Sequence, residues 1–253
     1  MKIVIIGSGN VATHIAKALN VANVAVSQIW SYHYENASRL AKQINATAIA
    51  DLSLIDTNAD VCLIAVKDDE IANVISELSG VEGVLAHTSG AVNLNVFENT
   101  AKNYGVFYPL QTFSKDKEVD FSNIPLCVEG NNQNTLNILT KLAQQLSSNV
   151  VEVNSDKRKI LHLAAVFACN FTNHMYALAD EILSANNLDF DIIKPLITET
   201  ANKVQNALPQ NVQTGPAIRN DLQTLKRHEE LLSKQPELLE IYKTLSESIK
   251  KTR

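Results

Sequence analysis

Short apolar runs alternate with segments of helical periodicity through the first 155 residues of the chain. Buried parallel strands read as continuous apolar runs, whereas amphipathic helices repeat apolar positions every three to four residues. The pattern therefore predicts strands within KIVIIG, VAVSQIWS, ATAIA, DVCLIAV, GVLAHTS, YGVFYP, IPLCVEG and NVVEV, with helices between most of them, including one over NVFENTAKN. Repeated strand–helix–strand units indicate an α/β domain with a mainly parallel sheet covered on both faces.

The second part of the chain carries a different pattern. Residues 157–184 contain no glycine or proline and place apolar residues at helical spacing, which predicts one long helix. Asp189 or Asp191 is expected to cap a second helix, and two further amphipathic helices are expected at about 218–232 and 236–250. Because no strand pattern occurs there, we expect this part to be all-α.

The glycines support a division into two domains. Seven of the eight precede residue 131, and Gly215 alone lies beyond it. Tight turns between strands use glycine, whereas helix interiors disfavour it. We therefore expect an α/β domain over residues 1–155, with a doubly wound, mainly parallel sheet, and an all-α domain over residues 156–253.

Composition and charge exclude several classes of protein. Hydrophobic residues make up 45% of the chain and charged residues 19%, which is typical of a globular protein. The net charge of -5 gives no reason to expect a nucleic-acid partner. The three cysteines lie far apart, so neither a disulfide framework nor a metal site is expected. No apolar stretch approaches the roughly 20 residues that span a bilayer, and the IVII run is too short for a signal peptide. We therefore expect no membrane partner and a cytoplasmic location.

A glycine-rich loop follows the first predicted strand and opens a helix. Its sequence, GSGNVA from Gly7, fits the GxGxxA pattern of Rossmann-like dinucleotide sites. The first glycine permits a tight turn, and the second lets the backbone approach a pyrophosphate at the helix N-terminus. We expect cofactor contacts from Gly7, Ser8, Gly9, Asn10 and Val11; an ordinary strand-to-helix turn is the alternative.

The end of the second predicted strand indicates which dinucleotide binds. NAD sites usually place an acidic residue there, to bind the ribose 2′-hydroxyl. This chain has none between Val21 and Tyr34, but it offers Ser31 and His33, with Arg39 in the next helix. Such donors suit a 2′-phosphate, so NADP is favoured over NAD. The alternative for His33 is an exposed loop histidine.

Three further loops lie at the expected carboxyl edge of the sheet, where open parallel sheets bind ligands. Val66 and Lys67 follow one strand and are expected beside the cofactor ribose. The segment His87–Gly90 ends the next strand; we expect His87 to contact the cofactor and Ser89 to contribute to catalysis. A turn with hydroxyls bonded to the nearby backbone is the alternative. Gln111 follows a third strand, where it could contact substrate or bond the loop backbone.

The helical part offers a polar stripe and an arginine. His162 and Asn170 differ by about 80° around an α-helix, so both are catalytic candidates on one broad face. A histidine can act as general acid or base beside a nicotinamide, although a core histidine bonded to backbone is the alternative. Arg219 is a candidate for binding a substrate carboxylate, with pairing to Asp221 as the alternative.

Taken together, these motifs resemble a known family. GSGNVA, AVKDDEI, AHTSGA, YPLQTFS, HLAAVFACNFTNH and TGPAIRNDLQTLKRH occur in the order found in a bacterial family of NADP oxidoreductases. Its members join a Rossmann-like domain to an uncharacterised helical domain and belong to the 6-phosphogluconate dehydrogenase-like group, with pyrroline-5-carboxylate and deazaflavin-linked NADP reductases. The resemblance implies NADP at the glycine loop, with Ser31 near the 2′-phosphate, and a homodimer through the helical domain. The family pattern reads His-Pro-Leu-Gln where this chain has Tyr108, which argues against a catalytic histidine at that position.

The leading hypothesis is an NADP-dependent oxidoreductase that acts on a small polar, carboxylate-bearing metabolite held between the domains. One alternative is a non-catalytic NADP(H)-binding sensor whose helical part binds a partner. A second alternative is a prephenate or arogenate dehydrogenase, because the helix with His162 also resembles its counterpart in prephenate dehydrogenase.

Overall fold

The computed structural model describes residues 1–115 and 117–251. Within them, an eight-stranded sheet has the order β3-β2-β1-β4-β5-β6-β7-β8. Every predicted strand is present, and all neighbours pair in parallel except β6 with β7. The strands are β1 (Lys2–Ile6), β2 (Ala25–Trp30), β3 (Thr47–Ile49), β4 (Val61–Ile64), β5 (Val84–His87), β6 (Tyr104–Pro109), β7 (Leu126–Gly130) and β8 (Val150–Glu152).

Helices and short turns connect the strands and extend beyond them. They are α1 (Asn10–Val21), α2 (Tyr34–Gln43), α3 (Ile71–Glu77), α4 (Gln133–Gln144), α5 (Ser155–Ala165), α6 (Thr172–Ser184), α7 (Lys194–Asn206), α8 (Leu222–Leu231) and α9 (Pro236–Lys251). The expected α/β class and the all-α C-terminal part are therefore confirmed.

The sheet carries apolar packing on both faces. Along β1, Ile3 and Ile5 belong to one buried cluster and Val4 and Ile6 to another, because successive side chains of a strand point to opposite faces. The first cluster includes residues of α1, α2 and α4, and the second includes residues of α3. This two-sided packing confirms the doubly wound arrangement.

Three helix predictions differ from the structure. The segment NVFENTAKN forms one 3-10 turn, Leu94–Phe97, and Asn99 then has a positive φ of 66° that an α-helix does not allow. The helix predicted from about residue 218 begins at Leu222, because Asn220 has a φ of 55° and Asp221 caps the helix through the Thr224 amide. The long helix predicted over 157–184 contains a π-helical segment, Val166–Phe171.

The chain divides into two compact units, Met1–Asn170 and the residues from Phe171 onward. We call them the sheet unit and the helical unit. The division falls inside the π-helical segment, so α5 belongs to the sheet unit. The boundary at 155/156 stays a prediction.

Candidate functional site

The glycine loop connects β1 to α1 at the carboxyl edge of the sheet. Gly7 has a φ of 129°, and a Cβ atom there would lie 2.2 Å from the Ala65 carbonyl oxygen. Its amide donates a hydrogen bond of 2.7 Å to the Trp30 carbonyl. No side chain fits at Gly7, because the loop passes between the ends of β2 and β4.

Gly9 differs from Gly7 in its surroundings. A Cβ atom at Gly9 would meet nothing within 4 Å, so the space beside this residue is open. Gly9 is also the N-cap of α1, whose first turn contains no acidic residue. The first N–H groups of a helix have no partner within it, and those of Asn10 and Val11 stand at the start of α1, next to this space. A phosphate would fit there, since helix N-termini favour anions.

Side chains around the loop hold it to two neighbouring segments. The Ser8 and Ser31 hydroxyl oxygens lie 2.7 Å apart, which ties the loop to the end of β2. The Asn10 side-chain amide donates to the Phe113 carbonyl at 2.8 Å. His14 Nε2 lies 2.9 Å from the Ser114 carbonyl oxygen, and the His14 ring stacks on Phe113. The segment after β6 is therefore fixed against the start of α1.

The residues expected near the adenosine end lie after β2 and β4. Ser31 is buried and engaged with Ser8, whereas His33 is exposed immediately before α2 and Arg39 is exposed within it. Val66 is half-buried and packs against the apolar cluster on the Val4 and Ile6 face of the sheet, whereas Lys67 is exposed. The structure thus places these residues along one edge of the sheet.

The segment after β5 is more enclosed than the sequence indicates. His87 is fully buried, and its ring stacks on Phe97 at a centroid distance of 5.7 Å. Burial lowers the pKa of His87 to about 3, and the nearby positive charge of Arg158 also lowers it. The imidazole is therefore neutral, and its Nδ1 accepts a hydrogen bond of 3.2 Å from the Ser89 amide.

The Ser89 hydroxyl closes the turn that follows. Its oxygen accepts hydrogen bonds of 3.0 Å from both the Ala91 and the Val92 amides. This is the bonding that the sequence left open as the alternative to catalysis.

A histidine and a tyrosine meet where β5 and β6 end. His162 Nδ1 lies 3.0 Å from the Tyr108 hydroxyl oxygen. A Cβ atom at Gly90 would lie 2.7 Å from the same nitrogen and 2.8 Å from Cζ of Tyr108, so both rings pack against the bare Gly90 backbone. Burial raises the pKa of Tyr108 to about 12, so its hydroxyl is protonated at neutral pH. His162 is half-buried and lies on the same sheet edge as the glycine loop.

A buried ion pair holds this corner together, and sequence reasoning missed it. Arg158 is 0% exposed and pairs with the Glu129 carboxylate. The guanidinium also donates to the Val92 carbonyl, and the Glu129 carboxylate accepts from the Ser155 amide and hydroxyl at 2.8 Å. Arg158 precedes His162 by one helical turn, so the pair fixes the helix that carries the histidine. In the sequence, Arg158 reads only as part of the charged run DKRK.

The remaining candidates are exposed. The Gln111 side chain accepts a hydrogen bond of 2.8 Å from the Thr112 amide within its own loop. Arg219 is exposed in the helical unit, and Asp221 accepts from the Thr224 amide and hydroxyl. Asn170 is exposed within the π-helical segment. Backbone hydrogen bonds from residue i to residue i+5 put more residues into each turn. Asn170 is therefore rotated about the helix axis from His162 by less than the expected 80°.

The described residues contain no group of three or more His, Cys, Asp or Glu residues that could hold a metal ion. No helix among them is long and apolar enough to cross a membrane.

Comparisons with known proteins agree with this architecture. A Rossmann-like domain model matches residues 1–110, and a model described as a domain of unknown function, DUF2520, matches residues 124–249. The crystal structure of a "putative NADP oxidoreductase" from Bacteroides fragilis is 43% identical, with a TM-score of 0.93, over 99% of this chain and 98% of that chain. No curated protein matches the chain.

More distant crystal structures share the fold. A reductive aminase from Aspergillus terreus, in complex with NADPH and ethyl-5-oxohexanoate, is 13% identical, with a TM-score of 0.75 over 98% of this chain and 92% of that chain. A pyrroline-5-carboxylate reductase from Coxiella burnetii is 14% identical, with a TM-score of 0.61 over 98% of this chain and 97% of that chain.

Proposed function

Because the chain belongs to the oxidoreductase family that joins a Rossmann-like domain to a DUF2520 domain, we propose that it transfers hydride between NADP(H) and a small polar metabolite. The metabolite would carry a carboxylate group. One observation carries the proposal. The glycine loop after β1 and the contact between Tyr108 in β6 and His162 in α5 lie at the same carboxyl edge of the sheet. Ligands of open parallel sheets bind at that edge.

The glycine loop fits the pyrophosphate of the coenzyme. The open space at Gly9 and the free amides of Asn10 and Val11 would receive the phosphates. Ser31, His33 and Arg39 would face the 2′-phosphate, because no acidic side chain stands at the end of β2 to repel it. When bound, the nicotinamide supplies the hydride chemistry.

His162 is the group proposed to handle the proton. Its Nδ1 edge is held by Tyr108 and Gly90, so Nε2 is the ring nitrogen available to a substrate oxygen or nitrogen. A histidine can pass a proton to such an atom or take one from it. Asn170 and Ser89 remain candidates for orienting the substrate, with Gln111 and Arg219 as candidates for its carboxylate.

The coenzyme half of the proposal is tested by the Gly9→Thr variant. Threonine matches glycine as an N-cap, and the space at Gly9 accepts a side chain, so the unfolding temperature should not change. The side chain would occupy the phosphate position and lower NADPH affinity by about tenfold or more, which corresponds to about 1.4 kcal/mol. Calorimetric titration with NADPH and NADH measures both affinities. Unchanged NADPH binding by the variant, or tighter binding of NADH by the native chain, would contradict this assignment.

The catalytic half is tested by turnover. The native chain is mixed with NADPH and a panel of keto and imino acids, and separately with NADP+ and prephenate or arogenate. Consumption of a carboxylate-bearing compound supports the proposal, and oxidation of prephenate or arogenate supports the dehydrogenase alternative. Tight NADPH binding without turnover of any compound would favour the non-catalytic sensor.

We further propose that two copies associate through the helical part of the chain. Most large apolar side chains that the described residues expose lie after residue 155, namely Ile160, Leu163, Phe167, Phe171, Ile182, Leu188, Ile192, Leu196, Val204, Leu208, Leu222, Leu231 and Leu245. Exposed apolar surface on this scale indicates association, and a second copy offers the same surface in return. Light scattering after size exclusion should give twice the chain mass, whereas a monomer at all concentrations would refute the dimer.

A further inference from the structure

Tyr108 lies beside the proposed proton-handling histidine without belonging to the expected set of site residues. It is the next-to-last residue of β6 with 9% of its surface exposed, and its hydroxyl oxygen is 3.0 Å from His162 Nδ1. Its ring meets the imidazole edge-on, with centroids 6.0 Å apart. A hydroxyl in such an enclosed place needs a hydrogen-bond partner, and Nδ1 is the acceptor that the described residues provide.

The chemistry of both groups favours the hydroxyl as the donor in this hydrogen bond. A phenol can donate one proton, whereas a neutral imidazole has one N–H and one bare nitrogen. The phenol keeps its proton at neutral pH, because burial raises the pKa of Tyr108 to about 12. If the hydroxyl donates its proton to Nδ1, then Nδ1 is the bare nitrogen and the imidazole proton sits on Nε2.

The backbone at Gly90 fixes the same edge of the ring. A Cβ atom there would lie 2.7 Å from Nδ1 and 2.8 Å from Cγ of His162, so the imidazole rests directly on the glycine. The ring is therefore held at its Nδ1 edge from two sides. Arg158, one turn earlier on α5, holds the helix through Glu129 and Val92.

From this juxtaposition we infer that Tyr108 is a positioning residue that sets the tautomer of His162, so that neutral His162 presents an Nε2–H donor to the bound substrate. The inference rests on the proposed function for its catalytic meaning, but the tautomer itself exists without coenzyme or substrate. In neutral His162 the Nε2–H group would hold by a hydrogen bond an electronegative atom that gains charge as hydride arrives, such as a carbonyl oxygen or an imine nitrogen. A proton would pass to that atom only from the imidazolium form, which takes it up from solvent.

Nitrogen-15 NMR of the histidine-labelled native chain measures the tautomer directly. At a pH where His162 is neutral, we expect Nδ1 to show the chemical shift of a bare nitrogen and Nε2 that of a protonated one. Tyr108→Phe keeps the ring but removes the hydroxyl, so both shifts should move toward the averaged values of exchanging tautomers. Gly90→Ala should cause a similar change with the hydroxyl intact, because its Cβ displaces the imidazole.

Tyr104→Phe is the matched control, since it removes a hydroxyl from the same strand without touching His162. If the proposed reaction is established, Tyr108→Phe should also lower kcat roughly tenfold and leave the KM for NADPH unchanged. A native spectrum with the proton on Nδ1, or shifts that do not respond to Tyr108→Phe, would overturn the inference. Because the native spectrum needs no variant and no turnover, a failure of the proposed function would not be mistaken for a failure of the tautomer assignment.

Discussion

The sheet unit and the helical unit bury their side chains to very different extents. In the sheet unit, the fully buried side chains include Ile3, Ile5, Phe97 and Phe107. Among the described residues from Phe171 onward, Ala217 and Leu225 are the buried apolar ones. A domain is stabilised mainly by apolar burial, so the sheet unit has a core of its own and the helical unit largely lacks one.

This difference explains where precise side-chain geometry can be built. A catalytic constellation needs neighbours whose rotamers are locked by packing and hydrogen bonds. His162 has such neighbours in Tyr108 and Gly90, whereas Arg219 lies exposed in the helical unit. The sheet unit can therefore position chemistry by itself, whereas the helical unit leaves many large apolar side chains exposed, and this contrast fits the association proposed above. Four pairs of changes test it.

The largest difference is expected between two ion pairs. Glu129→Gln leaves the fully buried Arg158 charge without its carboxylate and should lower the free energy of unfolding by about 3 kcal/mol or more. Glu199→Gln breaks the exposed pair with Lys203 in α7 and should cost about 0.5 kcal/mol or less. Urea unfolding of the two variants measures both values. Equal losses would mean that the Arg158 pair is no more important than a surface pair.

Two glycines with positive φ give the second test. Gly7→Ala combines backbone strain at φ 129° with a collision against Ala65, and it should cost about 3 kcal/mol. Gly215→Ala meets strain at φ 107° but no atom within 4 Å, so it should cost about 1 kcal/mol. The difference between the two unfolding free energies isolates the packing contribution. A loss at Gly215 as large as at Gly7 would remove the contrast between the units.

The same contrast separates what the sequence predicts from what it does not. The strands and the glycine loop could be predicted because apolar runs and the GxGxxA spacing are local features. The contacts Tyr108–His162 and Glu129–Arg158 join residues 54 and 29 positions apart, so they depend on how α5 packs against the sheet edge. Apolar spacing cannot distinguish a π turn within a helix, so the position of Asn170 relative to His162 was also out of reach.

Histidines in the two units give the third test, through pH. The pKa of buried His87 is lowered to about 3, while an unfolded histidine titrates near 6.5. Between these values the unfolded chain binds one more proton, so stability is complete above about pH 6.5 and falls as the pH drops, by about 1.4 kcal/mol per pH unit. His87→Gln should remove this part of the slope, whereas His228→Gln in α8 should leave it, because His87 is retained. Urea midpoints from pH 7 to 5 measure the slopes, and a slope unaffected by His87→Gln would contradict the assignment.

The fourth test compares two leucines on helices. Leu142 in α4 is 0% exposed and Leu196 in α7 is 65% exposed. Leu142→Ala leaves a cavity in the sheet unit and should cost about 3 kcal/mol at any protein concentration. Leu196→Ala should change the stability of dilute protein by about 0.5 kcal/mol or less.

If α7 lies in an interface between two copies, the stability that Leu196→Ala loses relative to the native chain should grow as the protein concentration rises, because dissociation then accompanies unfolding. Thermal unfolding over a hundredfold range of concentration distinguishes these behaviours. A large, concentration-independent loss for Leu196→Ala would show that the helical unit buries Leu196 in a core of its own, and the contrast between the two units would no longer hold.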